Sequence, residues 1–97
     1  MDESYELNGI TFIWDSKKAQ INSENHGVTF QQAAEAFFDP FLIIVDASPE
    51  EETRDAVIGM DMRWNLFFVV HILIEDEHVR IISVRKATRS EKVIYEN

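Results

Sequence analysis

The stretch Trp64–Val84, WNLFFVVHILIEDEHVRIISV, decides the fold. Two runs rich in β-branched and aromatic residues, 64–74 and 78–84, flank the acidic triplet 75–77. Such runs read as strands, and a connection this short joins them as an antiparallel hairpin. Upstream, TRDAVIGM (53–60) predicts a third strand, joined through the short turn at 61–63. Before it, FLIIVDA (41–47) is a near-continuous apolar run of the kind a buried strand presents, followed by an acidic turn at 48–52.

The flanks read as helices. VTFQQAAEAFF (28–38) opens with a capping box from Thr29 to Gln32 and places Phe30, Ala33, Ala34, Phe37 and Phe38 at helical spacing, with Pro40 as its stop. Ahead of it, Asp15 caps a helix through SKKAQINSEN, which Gly27 ends in a left-handed turn. LNGITFIWD predicts a strand at about 6–14, with Trp14 in the core. At the far end, Thr88 and Glu91 form a second capping box and open a last helix through Tyr95. The expected order is β-α-α-β-β-β-β-α. This is an α+β domain spanning 1–97, with helices on one face of a mostly antiparallel sheet.

Charge is unevenly placed. The chain carries a formal net charge of −9, yet five of its nine basic residues lie in 79–97: Arg80, Arg85, Lys86, Arg89 and Lys92. Such a balance disfavours non-specific nucleic-acid binding while allowing a local basic site, and it favours a partner with a basic surface. There is no cysteine, so disulfides and thiolate-held metal are excluded, in keeping with a reducing cytoplasm. The N-terminus lacks an apolar signal core, and the longest apolar run is about half a membrane span. With strict alternation along the last strand, Arg80 and Arg85 point to opposite faces, so the basic residues gather at the strand end and helix start rather than in a stripe. Arg89 beside a helix N-terminus opposes the dipole and is not there for helix stability.

The residues FIWDSKKAQINSENHGVTFQQAAEAFFDP, RDAVIG, LFFVVH and RIISVRKATRSEKVIYE, in that order over about 10–96, resemble the BrnT family, toxins of type II toxin–antitoxin pairs. The resemblance implies a RelE-like fold and a ribonuclease that inhibits translation without a metal or other cofactor. It also implies a BrnA-like antitoxin whose ribbon-helix-helix part binds DNA, so this chain alone would not.

Cleavage of that type sends a 2′-OH onto the adjacent phosphate and needs positive charge on the phosphorane, a base and an acid. The motif arginines Arg54, Arg80 and Arg85 are the expected phosphate-stabilising groups. His26 and Tyr95 are the proton-transfer candidates, and Lys86, Arg89 and Trp64 the RNA-binding ones. Each has a plainer reading. His26 suits a helix C-terminus, Tyr95 can pack the last helix, Trp64 can close a turn, and Arg54 can pair with the acidic turn at 50–52. His26, His71 and His78 show no metal-ligand spacing, and Gly9, Gly27 and Gly59 form no phosphate loop. The final helix is less basic than the family pattern. A second reading therefore stands beside the toxin: a catalytically weak interaction module that keeps the antitoxin contact. An edge strand or 41–47 could also pair two copies.

Overall fold

The computed structural model describes residues 1–49, 53–75 and 78–97. Among them the elements run β1 (Asp2–Leu7), β2 (Ile10–Asp15), α1 (Ser16–His26) and α2 (Phe30–Glu35), with a 3-10 turn at Ala36–Phe38. There follow β3 (Ile43–Asp46), β4 (Asp55–Met60), β5 (Leu66–Leu73), β6 (His78–Lys86) and α3 (Arg89–Glu96). The six strands form one sheet in the order β1-β2-β6-β5-β4-β3.

Three expectations are corrected. The order begins with two strands, because DESYEL is itself β1. Its composition is a poor strand signal, but Asn8 and Gly9 both have positive φ, 50° and 83°, which is the primed two-residue hairpin turn that Asn-Gly favours. The sheet is mixed rather than mostly antiparallel: β2 lies parallel to β6, with Phe12 opposite Val79 and Ile13 opposite Arg80. The run 41–47 is not a buried strand. β3 forms the sheet edge opposite β1 and alternates between half-buried and exposed residues, with Ile44 outward. The acidic turns at 50–52 and 76–77 lie outside the described residues.

The core lies between the sheet and α1, α2 and the 3-10 turn. Phe12 and Trp14 from β2, Val57 from β4, Phe67 and Val69 from β5, and Val84 from β6 meet Phe30, Ala33, Ala34 and Ala36. Trp14 and Phe30 pack edge to face with ring centroids 5.6 Å apart, a geometry that the ring quadrupoles favour. Gly59 is required by this packing, since a Cβ there would come within 2.6 Å of the Ala36 carbonyl oxygen.

Both capping boxes form, at Thr29–Gln32 and Thr88–Glu91, and Gly27 ends α1 at φ 68°. Asp15 caps α1 through the Lys18 N–H at 2.9 Å, as its position suggests. Where β2 gives way to α1, β6 would be left with an open edge. Asn22 closes it. Its amide donates to the Val84 carbonyl at 2.9 Å and accepts from the Val84 N–H at 3.0 Å, doing what a neighbouring strand would.

Candidate functional site

β6 spends two residues where β5 spends one: Ile81 faces His71 and Ser83 faces Val70. This bulge at Ile82 resets the alternation. Val79, Ile81 and Val84 all enter the core, so Arg80 and Arg85 share the opposite sheet face. Strict alternation had separated them, and a bulge is a one-residue event that composition does not announce.

Neither arginine is idle. Arg80 pairs with Asp2 of β1 at 2.6 Å, a contact open to solvent. Arg85 grips Glu91 with both terminal nitrogens, at 2.7 and 2.8 Å, and lies 4.3 Å over the Phe68 ring. Fork and stack together fix a guanidinium in a way that a lysine cannot reproduce. Glu91 also accepts from the Thr88 N–H at 2.8 Å. The same carboxylate therefore caps α3 and ties it to β6. The Arg85 bond, helped by Thr88, holds the Glu91 carboxyl below its ordinary value despite burial.

Trp64 stands at the β4–β5 turn. Asp61 builds that turn, accepting from the Arg63 and Asn65 N–H groups, each at 2.9 Å, and from the Asn65 side chain at 3.0 Å. Trp64 itself has φ 68° and is 83% exposed. A bulky residue held in the left-handed region costs about 1–2 kcal/mol, and here no burial offsets it. Its ring borders a shallow cavity of about 280 Å³ whose other walls include Leu66, Lys86 and Lys92. The Ala87 N–H, bonded to the Leu66 carbonyl at 2.9 Å, closes the corner between the turn and α3.

Tyr95 lies on the other side of Trp64, in a neighbouring cavity that both residues line. Its hydroxyl donates to Asp39 at 2.6 Å, and burial with that bond pushes its pKa up to about 12. Burial alone would raise the Asp39 carboxyl, but hydrogen bonds from Tyr95 and from the Met60 and Phe41 N–H groups hold it below its ordinary value. This contact braces α3, which has no fully buried residue of its own.

The remaining candidates are dispersed. His26 ends α1, exposed, beside a separate groove with Lys18, Asn25 and Ile82. Arg54 stands one residue before β4, where its backbone is held by Ser48 and Ala47. Arg89 is exposed in the first turn of α3. His71 is buried within β5, and its ring packs against Phe37.

The structure thus gathers Trp64 with Lys86 and Tyr95 and keeps His26 in a groove of its own. Sequence reasoning counted Lys92 in the basic cluster without giving it a role, and passed over Asn22 and the Glu91–Arg85 fork.

A family model described as "Ribonuclease toxin, BrnT, of type II toxin-antitoxin system" matches residues 14–91. Among solved structures, the chain is similar to the 1.1 Å crystal structure of the Brucella abortus ribonuclease toxin, BrnT. The two are 23% identical with a TM-score of 0.61, and the match covers 78% of this chain and 94% of that one. At that identity the likeness concerns the fold. No curated protein matches the chain. Among the described residues, no helix is long and apolar enough to cross a membrane.

Proposed function

The chain belongs to the BrnT toxin family of type II toxin–antitoxin systems, and from that premise we propose that it cleaves RNA at the corner formed by Trp64, Lys86 and Lys92. The observation that carries this reading is Trp64: a strained, 83% exposed indole beside two lysines in one cavity. An exposed ring offers a base a stacking platform, and flanking cations hold the phosphates on either side.

Arg85, on the sheet face away from the core and held there by Glu91 and Phe68, is the candidate source of fixed positive charge for the phosphorane. Arg80 lies further along the same face. Arg54, one residue before β4, and Arg89, in the first turn of α3, stand apart from that corner as candidates for further phosphate contacts. The 2′-OH attacks the adjacent phosphorus and gives its proton to water, the P–O5′ bond breaks, and the departing O5′ takes a proton from water, leaving a cyclic phosphate and a 5′-OH. Of the two proton-transfer candidates, Tyr95 shares a cavity with Trp64 and His26 does not, but the Tyr95 hydroxyl donates to Asp39 within an acidic groove, so water carries the protons. A metal is not required by this scheme. Translation would fall as messages are cut, and a BrnA-like antitoxin would silence the activity and supply any operator binding. The RelE-like relationship belongs to the same reading.

The second reading, an interaction module with little nuclease activity, is favoured by one observation: Arg80 and Arg85 are already satisfied by Asp2 and Glu91.

Purified protein incubated with single-stranded RNA in excess chelator separates the two. The toxin reading expects cleavage that falls roughly tenfold in Trp64→Ala, since a lost stacking contact is worth about 1–3 kcal/mol, and falls again when Lys86→Ala is added. Folded parent protein that leaves RNA intact at micromolar concentration supports the interaction module instead.

A further inference from the structure

We propose that the groove between the 3-10 turn and the Asp61 turn is the seat of the antitoxin, receiving a segment with apolar anchors and at least one lysine or arginine. The inference rests on the toxin reading, because it takes the partner to be the antitoxin. The groove encloses about 350 Å³. Three of its apolar walls are largely open to water: Phe41 at 72%, Met62 at 81% and Trp64 at 83% exposure. Large apolar side chains gathered this way on a small protein mark a binding surface.

Charge selects the occupant. Glu35, Asp39 and Asp61 border the same groove. Their oxygens accept only from neutral donors among the described residues: Met62 N–H for Glu35; Tyr95 O–H and the Met60 and Phe41 N–H groups for Asp39; Arg63 and Asn65 N–H groups for Asp61. No cation pairs with any of the three among the described residues. An apolar floor edged by the half-buried Glu35 and Asp39 carboxylates, with the Asp61 carboxylate buried in the turn beside them, attracts a basic amphipathic segment. It repels RNA phosphates. A second copy docking groove to groove would set two such rims against each other, since a two-fold contact brings like surfaces together. Trp64 borders both this groove and the Lys86–Lys92 cavity. An occupant here would cover the stacking ring, so binding and silencing would be the same event.

The test uses the full chain and a synthetic amphipathic peptide of leucine and lysine, with a twin in which glutamate replaces lysine. Trp14 is already buried, so a blue shift of indole emission reports Trp64. The lysine peptide should bind the parent with a blue shift and suppress RNA cleavage, and the glutamate twin should not bind. Phe41→Glu and Met62→Glu should each weaken binding at least tenfold, although both make the protein more negative. Equal binding by these variants would reduce the attraction to non-specific charge and overturn the proposal. So would binding of the glutamate twin, or a parent dimer that Phe41→Glu dissolves and the peptide does not enter. A parent that binds the peptide but never cuts RNA would sink the nuclease reading and leave the groove; a parent that cuts but does not bind would do the reverse.

Discussion

Asn22→Leu should lower the folding stability of this protein by about 3 kcal/mol, read as a drop in the urea midpoint with an unchanged slope. Leucine has nearly the shape of asparagine, so the expected loss is not a cavity. It is the Val84 N–H and C=O, both in the core wall, left without the partners that Asn22 provides at 3.0 and 2.9 Å. Each buried, unpaired polar group costs about 1–3 kcal/mol. Asn22→Asp sharpens the point. A carboxylate still accepts from the N–H but faces the Val84 carbonyl with no proton to give. That variant should be weak at neutral pH and recover as the pH falls, because protonation restores the donor. The carboxyl is thereby raised above its ordinary value of about 3.9. Its penalty is full above the raised value and gone below about 3.9. A stability curve for Asn22→Asp that stayed flat through acid would show that the carboxyl does not replace the amide.

Asn22 also shows where the sequence was silent. Its place inside a polar helix gave no reason to bury it, since the signal lies on β6, sixty-two residues away. The helices and the four strands from β3 to β6 were legible because caps, periodicity and Pro40 are local features. β1 was hidden by its acidic composition, although Asn8-Gly9 advertised its hairpin. The parallel pairing of β2 with β6 was beyond reach, because it joins the two ends of the sequence and no turn encodes it. FLIIVDA misled for a related reason: burial depends on which strand takes the edge, and hydropathy does not say. The arrangement of the candidate site was legible in part. The family resemblance pointed to Arg85, and side-chain chemistry to Lys86 and Trp64, of which Lys86 and Trp64 line one cavity. The bulge at Ile82, which puts Arg80 and Arg85 on one face, and the left-handed turn that lifts Trp64 into solvent are backbone events with no residue of their own to mark them.

Arg85→Ala should abolish growth arrest when the chain is expressed alone. Loss of a preorganised charge at a reacting phosphate costs about 10²- to 10³-fold in rate. Arg85→Lys should fare little better, because a single ammonium cannot hold the two-pronged bond to Glu91 and lie flat on Phe68. Glu91→Gln decides what the pair is for. Glutamine still serves the capping box at this position, so α3 should keep its start. If Glu91 only neutralises Arg85, its removal frees the guanidinium, and RNA cleavage should rise. The fork geometry and the stack argue that Glu91 aims Arg85, so cleavage should fall by roughly tenfold, less than in Arg85→Ala. The pH profile gives an independent check. The Arg85 bond holds the Glu91 carboxyl below its ordinary value, so the clamp contributes its full stability above the unfolded carboxyl's range. That contribution is lost as the pH falls through the lowered value. Glu91→Gln should therefore flatten the acid limb of the stability curve while leaving its neutral shape intact. Should Glu91→Gln cleave faster than the parent and still lose that acid limb, the carboxylate is a brake on Arg85 rather than its guide.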